Sequence, residues 1–369
     1  MPIEYDAPDN HIGEISIFGP GIGECIVLHI GQGRWFVIDS CLCPKTKQPI
    51  ALQYLKDIGV DASTQVVGIL ISHWHSDHIQ GASLLLESCQ NAKLFHSLAL
   101  ISKEALCLVS LYKKDVFADI DKDVREFSEI VQYLRKTKDR NRLVPVKSRH
   151  TFFDNRNDIP VRLVAVSPSD VAVTQSIAKL AELKPKQGDS RLRNVVPESA
   201  NLNAIALHFS FGNFSALLGS DLEETGNSQT GWSAIFSDNI INELSLPSAS
   251  LFKVSHHGSD TGHHDKIWTE LLVKNPLSLT TPFTRCNLPT ADNIMRLQKL
   301  SSEFLITRDP RSNKRVKRDS MVERELRAIV KERKTINDKM GHIQIRISEK
   351  GLLDIRANEN VVRFPGTAE

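Results

Sequence analysis

At 369 residues, with 41% hydrophobic and 24% charged side chains, the chain has the composition of a globular protein that can bury a sizeable core. No apolar run approaches membrane-spanning length, and the acidic start MPIEYDAPDNHIGE lacks a basic segment followed by an apolar one, so no secretory signal is read and the cytoplasm is the expected location. The net charge of +2 is unevenly spread: Arg135–Arg149 holds seven Lys/Arg against one acid and Pro310–Lys339 eleven against five, which leaves the remainder acidic on balance. Of the six cysteines only Cys41 and Cys43 are close. Their C-x-C has no second half to complete a zinc knuckle, so buried thiols are expected.

In chain order, Ile12–Phe18, Cys25–Ile30 and Trp35–Ile38 read as short antiparallel strands separated by glycines. Ile50–Ile58 has helical spacing and stops at Gly59. Gln65–Ser72 is β-branched and apolar, a buried strand that delivers the next residues into a loop. Ser83–Ser88 reads as a short helix and Lys103–Lys138 as a long helical stretch, polar on one side and divided into two helices. Val161–Val166 is a strand closed by Ser-Pro-Ser-Asp; Ser176–Leu183 is helical and Lys184–Ser199 a polar loop. Ala204–Phe211 and Phe214–Leu218 flank Gly212-Asn213, a strong hairpin signal. Leu251–Ser255 and Phe304–Thr307 are further strands, Asp319–Arg333 is a charged helix, and Ile343–Ile347 with Leu352–Arg356 closes the chain as a hairpin. Strands and helices alternate without regular β-α-β spacing, which favours two mixed sheets with helices outside.

His73-Trp74-His75-Ser76-Asp77-His78 puts three imidazoles and a carboxylate into six residues directly after a buried strand. Nitrogen ligands with a carboxylate suit zinc, with manganese or iron as alternatives. His73 and His75, alternate residues of an extended loop, can face one metal. Asp77 and His78, beyond the turn, can face a second.

H-x-H-x-D-H after an apolar strand resembles the metallo-β-lactamase superfamily. Further landmarks follow in order: V-I-D-S ending at Ser40, L-L-G-S-D at Leu217–Asp221, and F-K-V-S-H-H-G-S at Phe252–Ser259. The last is most similar to the soluble hydrolase domain of ComEC-type competence proteins and its relatives. The resemblance runs from about Ile12 to about Arg356. It implies an α/β chain with an αββα sandwich of two mixed β-sheets and outer helices. It also implies a single domain over 1–369, with a helical insertion at about 101–142 and a basic helical insertion at about 310–340.

Carried over by residue, the resemblance implies two divalent metal ions. His73 and His75 would bind the first, Asp77 and His78 the second, and Asp221 would bridge them. Asp39 would support the histidine loop from behind. One of His256 and His257 would be a ligand; His257 is favoured, leaving His256 to contact a phosphate or protonate the leaving group and Ser259 to donate to the same oxyanion. Two metals sharing Asp221 would lower the pKa of a bridging water and supply hydroxide.

Relatives carry another histidine ligand before the bridging Asp, and His96, His150 and His208 are the candidates here. Residues pairing across a Gly212-Asn213 tip sum to about 424–425, so Asp221 falls opposite Asn203 or Ala204 and His208 lies roughly 13–16 Å further along at strand rise. That distance excludes His208 and makes Asn201 and Asn203 the neighbours of Asp221. Leu288-Pro289 stands where such relatives often carry His-Pro.

No G-x-S-x-G elbow is present, and Gly19-Pro-Gly21-Ile-Gly23 lacks the G-K-[ST] ending of a P-loop. The expected function is a metal-dependent hydrolase, a phosphodiesterase or nuclease acting on a phosphate ester such as DNA or RNA, with no membrane partner. Arg311, Lys314, Arg315, Lys317 and Arg318 are the candidate nucleic-acid contacts, although charge runs are also common as solvated helix faces. Alternatives are a hydrolase of a small lactone, lactam or thioester, and a non-catalytic binding protein that retains the fold.

Overall fold

A computed structural model describes residues 2–102, 105, 122–156, 158–182, 200–313, 319–329 and 339–367. Strands β1 (Gly13–Gly19), β2 (Cys25–His29), β3 (Trp35–Ile38), β4 (Val66–Ile71), β5 (Lys93–Ser97) and β6 (Leu143–Val146) form one sheet with β14 (Gly341–Ser348) and β15 (Gly351–Ala357). Its order is β15-β14-β1-β2-β3-β4-β5-β6, antiparallel as far as β3 and parallel from β3 to β6.

The second sheet contains β7 (Thr151–Asn155), β8 (Val161–Ala165), β9 (Leu207–Phe211), β10 (Phe214–Leu218), β11 (Ala249–Lys253), β12 (Leu272–Thr280), β13 (Glu303–Ile306) and β16 (Val362–Pro365). It runs β16-β13-β12-β11-β10-β9-β8-β7, with β10 to β13 parallel. The β9–β10 hairpin pairs Phe214 with Phe211 and Leu217 with His208, as the turn at Gly212-Asn213 requires.

Two-residue periodicity assigns the faces. Ile15, Ile17, Ile26, Leu28, Phe36, Ile38 and Leu70 point between the sheets, against Leu163, Leu207, Phe209, Leu218, Leu251, Leu279 and Leu305. The alternate residues Val27, Val37, Ile69 and Ile71 pack outward against helices Ile50–Asp57, Ala82–Ser88 and Lys122–Lys136. On the second sheet Leu217, Phe252 and Phe304 pack outward with Trp232 and Ile294 of helices Gly231–Ser237 and Ala291–Leu300. The architecture is an αββα sandwich of two mixed sheets.

Three expectations are corrected. The helix expected from Ser176 begins six residues earlier, at Asp170; Ser169 Oγ accepts from Ala172 N at 3.1 Å, so Ser-Pro-Ser-Asp starts a helix as well as ending a strand. The short strands β5, β6 and β7 were not foreseen, because four or five residues carry too little periodicity to separate strand from loop. Arg311 lies in a tight turn, Pro310–Asn313, and only Ser320–Ile329 of the basic insertion is a described helix. Of the expected helical stretch at Lys103–Lys138, Lys122–Lys136 is helix, while 103–104 and 106–121, the loop 184–199, and Lys314, Arg315, Lys317 and Arg318 lie outside the described residues. Among the described residues no helix is long and apolar enough to cross a membrane.

Candidate metal centre

Parallel strands in both sheets end on one edge of the sandwich, and their C-terminal extensions meet there. Asp39 follows β3, the histidine loop follows β4, Asp221 follows β10, His257 follows β11 and Thr281 follows β12. In the loop, Trp74 is fully buried among outer-face side chains and packs on Phe127 of the helix Lys122–Lys136, with ring centroids 5.3 Å apart. With Trp74 anchored behind, His73 and His75 face the other way. One helical turn, Ser76–Ile79, then brings Asp77 and His78 in.

Four groups converge. His257 Nε2 lies 3.3 Å from both Asp77 Oδ2 and Asp221 Oδ2, and His78 Nε2 lies 3.6 and 3.4 Å from the same two oxygens. All four residues are buried, and His78 Nε2, His257 Nε2 and Asp221 Oδ1 have no hydrogen-bond partner. Buried polar atoms without a partner are costly. Ligand atoms held about 2.0–2.2 Å from a tetrahedral ion stand about 3.3–3.6 Å from one another. The four distances fall in that interval, so the donor set fits a divalent metal. His73 Nε2 and His75 Nδ1 are 3.1 Å apart, and His73 Nε2 is 4.0 Å from Asp221 Oδ2, so these two imidazoles stand beside the same carboxylate.

The supports are equally specific. Asp39, at a left-handed φ of 58°, accepts from Ser72 N at 2.6 Å, Ser72 Oγ at 2.7 Å and His78 Nδ1 at 2.7 Å. The last bond commits Nδ1–H to the carboxylate and leaves Nε2 for a metal. Thr281 O, 3.0 Å from His257 Nδ1, does the same for that ring. Ser220, His256 and His257 also have positive φ, 47°, 46° and 53°. Non-glycine residues held there cost of order 1–3 kcal/mol each and persist where the surroundings over-determine them.

Electrostatics follow from crowding. Burial alone would lower the His257 pKa, but Asp221 and Asp77 overcome it and raise it to about 10. Burial is likewise outweighed at His78, which Asp221, Asp39 and Asp77 push well above its usual value. Asp221 is held well below the carboxylate range by His257 and His78 against the effect of burial. His73 is pushed well down by burial and by His78 and His75. Without metal, protons on two imidazoles balance the carboxylates.

The adjacent histidines separate. His256 sits at the rim, its Nδ1 2.7 Å from Thr261 Oγ1, 2.9 Å from Glu223 Oε1 and 3.1 Å from Ser259 Oγ, with Nε2 3.4 Å from Asn201 Nδ2. Asn201 also donates to Glu223 Oε1 at 3.3 Å. Asn203, in a short 3-10 turn over 200–203, donates from its amide to Ser176 Oγ, and its Oδ1 is buried without a partner.

The other histidines are engaged elsewhere. His208 Nε2 meets Pro247 O at 2.8 Å, His96 Nδ1 accepts from Ser97 N at 3.0 Å, and His150 packs on Phe95 and Phe152. His263 pairs with Asp265 at 3.0 Å, and His264 stacks near Phe236.

Three of the seven basic residues of the first segment are engaged within the fold. Arg142 donates to the carbonyls of Ala92, Leu86 and Cys89, Lys147 pairs with Asp170 at 2.9 Å, and Arg149 with Glu243 at 2.7 Å. Arg311 pairs with Asp309 at 3.0 Å. Reasoning from sequence passed over Glu24, Glu223, Lys253 and Thr281. A lysine inside the apolar run Leu251–Val254 was the one available signal.

Residues 18–121 match the family described as the Metallo-beta-lactamase superfamily. No curated protein matches the chain. Among solved structures it is similar to CmlA beta-hydroxylase, at 14% identity over 67% of this chain and a TM-score of 0.34; it spans only 35% of that protein. It is also similar to MEM-A1, a subclass B3 metallo-beta-lactamase from a soil metagenome library, at 12% identity, 73% and 83% coverage and a TM-score of 0.36. A third is the hydrolase AbOPH of the beta lactamase superfamily, at 12% identity, 66% and 86% coverage and a TM-score of 0.33. Residues 18–121, which carry the histidine loop, thus resemble the metallo-beta-lactamase superfamily, and the paired mixed sheets with outer helices are the metallo-β-lactamase fold.

Proposed function

We propose that the protein is a metal-dependent hydrolase of phosphate esters, with phosphodiesters such as a nucleic-acid backbone as the substrate class. The observation that carries the metal-dependent part is the buried convergence of His78 Nε2 and His257 Nε2, neither with a hydrogen-bond partner, on the carboxylates of Asp77 and Asp221. Asp77, His78, Asp221 and His257 would hold one ion, and His73 and His75 would hold a second. Zinc suits this nitrogen-rich set best, and manganese or iron are the alternatives. When bound, such ions acidify a water and polarise the bond under attack.

The protein's own contribution lies at the rim. Glu223, Thr261 and Ser259 gather at His256 Nδ1 and fix its ring, leaving Nε2 beside the Asn201 amide. An imidazole held in this way can donate a proton to a leaving alkoxide. An Nε2–H of His256 at this rim suits a phosphoryl or leaving-group oxygen, and this supports a phosphate ester over a lactam. For a nucleic acid, the segment containing Arg311, Lys314, Arg315, Lys317 and Arg318 is the proposed backbone contact.

The test is hydrolysis of bis-p-nitrophenyl phosphate with Zn²⁺ and Mn²⁺ separately, beside nitrocefin and a thioester. Phosphodiester cleavage that vanishes in Asp221→Ala is the expected result. Cleavage of nitrocefin or the thioester alone would overturn the substrate class, and no turnover with any metal at full occupancy would overturn the enzymatic reading.

A further inference from the structure

A charged pair lies fully buried beneath the centre. Lys253 Nζ is 2.6 Å from Glu24 Oε2, and neither side chain is accessible to solvent. Removing two charges from water is expensive, and buried pairs can commonly be replaced by apolar residues without loss of stability. Fold stability is therefore a weak explanation for a lysine in the middle of an apolar strand. Its contacts suggest a better one.

Lys253 Nζ donates to Ser220 O at 3.1 Å, and that carbonyl immediately precedes Asp221 in the left-handed turn. Glu24 N donates to Asp77 O at 2.9 Å. Thr281 Oγ1 donates to Glu24 Oε2 at 2.6 Å, while Thr281 O faces His257 Nδ1 at 3.0 Å. Glu24 also lies with Asp39 and His78, ligand-type atoms of all three within 4.8 Å of one another. The ion pair thus touches the segment carrying Asp221 and, through Thr281, the ring of His257, while the backbone N–H of Glu24 holds the Asp77 carbonyl on the other sheet.

We infer that Glu24 and Lys253 are positioning residues that lock these three ligands into a common geometry, an inference resting on the metal reading above. Neither residue belongs to the proposed ligand set. The effect of their side chains passes through the Ser220 carbonyl and Thr281, and through the placing of the Glu24 backbone against the Asp77 carbonyl. Residues that orient metal ligands in this manner typically change metal affinity 10–100-fold when replaced.

The experiment compares the full-length wild type, Glu24→Gln/Lys253→Met, and a control pair in another part of the first sheet, Glu14→Gln/Arg346→Met, which removes a buried pair 2.7 Å apart. Zn²⁺ affinity is read by chelator competition, the ligand field from the Co²⁺ absorption spectrum, and the fold from melting of the metal-free form. The Glu24/Lys253 variant is expected to bind Zn²⁺ about 10–100-fold more weakly, with an altered Co²⁺ spectrum and a metal-free melt near that of wild type. The control should keep wild-type affinity and spectrum.

Unchanged affinity in the Glu24/Lys253 variant overturns the inference while the metal reading stands, and so does an equal loss in the control. A wild type that binds neither ion overturns both. Thr281→Val, nearly isosteric, removes the hydroxyl contacts to Glu24 and, at 3.3 Å, to His257 Nδ1, and supplies a second reading if the double variant does not fold; a smaller weakening in the same direction is expected, and none overturns the inference.

Discussion

Replacing Asp39 by Asn keeps the shape of the side chain and changes one atom's hydrogen-bonding role. In the native protein two carboxylate oxygens receive three donors: Ser72 N on Oδ1, and Ser72 Oγ with His78 Nδ1 on Oδ2. An Asn offers one oxygen and one NH₂. If the oxygen stays toward His78, the NH₂ faces the Ser72 N–H at a position now 2.6 Å away, donor against donor. If the amide flips, His78 Nδ1 loses its acceptor, and the ring is driven to the tautomer with the proton on Nε2, the atom that faces Asp77 and Asp221. Either way a hydrogen bond to a charged group is lost, about 1.5–3 kcal/mol. At 1.4 kcal/mol per factor of ten this corresponds to roughly 10–100-fold in metal affinity, the same range as for other groups that orient metal-binding histidines. Chelator competition for Zn²⁺ on wild type and Asp39→Asn measures it, with the metal-free melt recorded beside it. Wild-type affinity in a folded Asp39→Asn would refute this role for the carboxylate.

The metal-free protein should lose stability as pH rises. His257 has its folded pKa raised from 6.5 to about 10, so its contribution is complete below about pH 6.5 and disappears as pH climbs toward 10; His78 adds in the same direction. Melting of chelator-treated protein between pH 6 and 10 checks this, and a flat or rising profile would count against it, while saturating Zn²⁺ should abolish the dependence because the ion replaces those protons. Trp74→Ala should destabilise the fold by about 3–5 kcal/mol through the cavity left against Phe127 and weaken metal binding at His73 and His75. Denaturant unfolding reads the first effect, and a loss below about 1 kcal/mol would show that the loop is not anchored from behind.

Much of the centre could be read along the chain because its chemistry is local. His73, His75, Asp77 and His78 lie within six residues of one another, and an extended loop followed by a helical turn is enough to bring them to one carboxylate. Strand arithmetic reached further. The turn at Gly212-Asn213 sets the register of β9 on β10, and that register carries His208 away from the end of β10 that Asp221 follows. The same arithmetic does not extend to Asn201 and Asn203, because pairing stops at Leu207–Leu218 and the chain coils beyond it.

Other features depend on contacts between distant parts of the chain. Whether His256 or His257 turns inward is decided by the backbone at φ 46° and 53° and by Thr281 and Glu223, which arrive from separate segments. Glu24 and Lys253 are 229 positions apart, and only the stacking of one sheet on the other brings them to 2.6 Å. Basic residues behave similarly: Arg142, Lys147 and Arg149 form part of a charged run in sequence, yet each is engaged by carbonyls or acids elsewhere in the fold. Motif spacing is written into a few bonds of covalent geometry. Partners across the sandwich are set by packing and register, which no short stretch of residues contains.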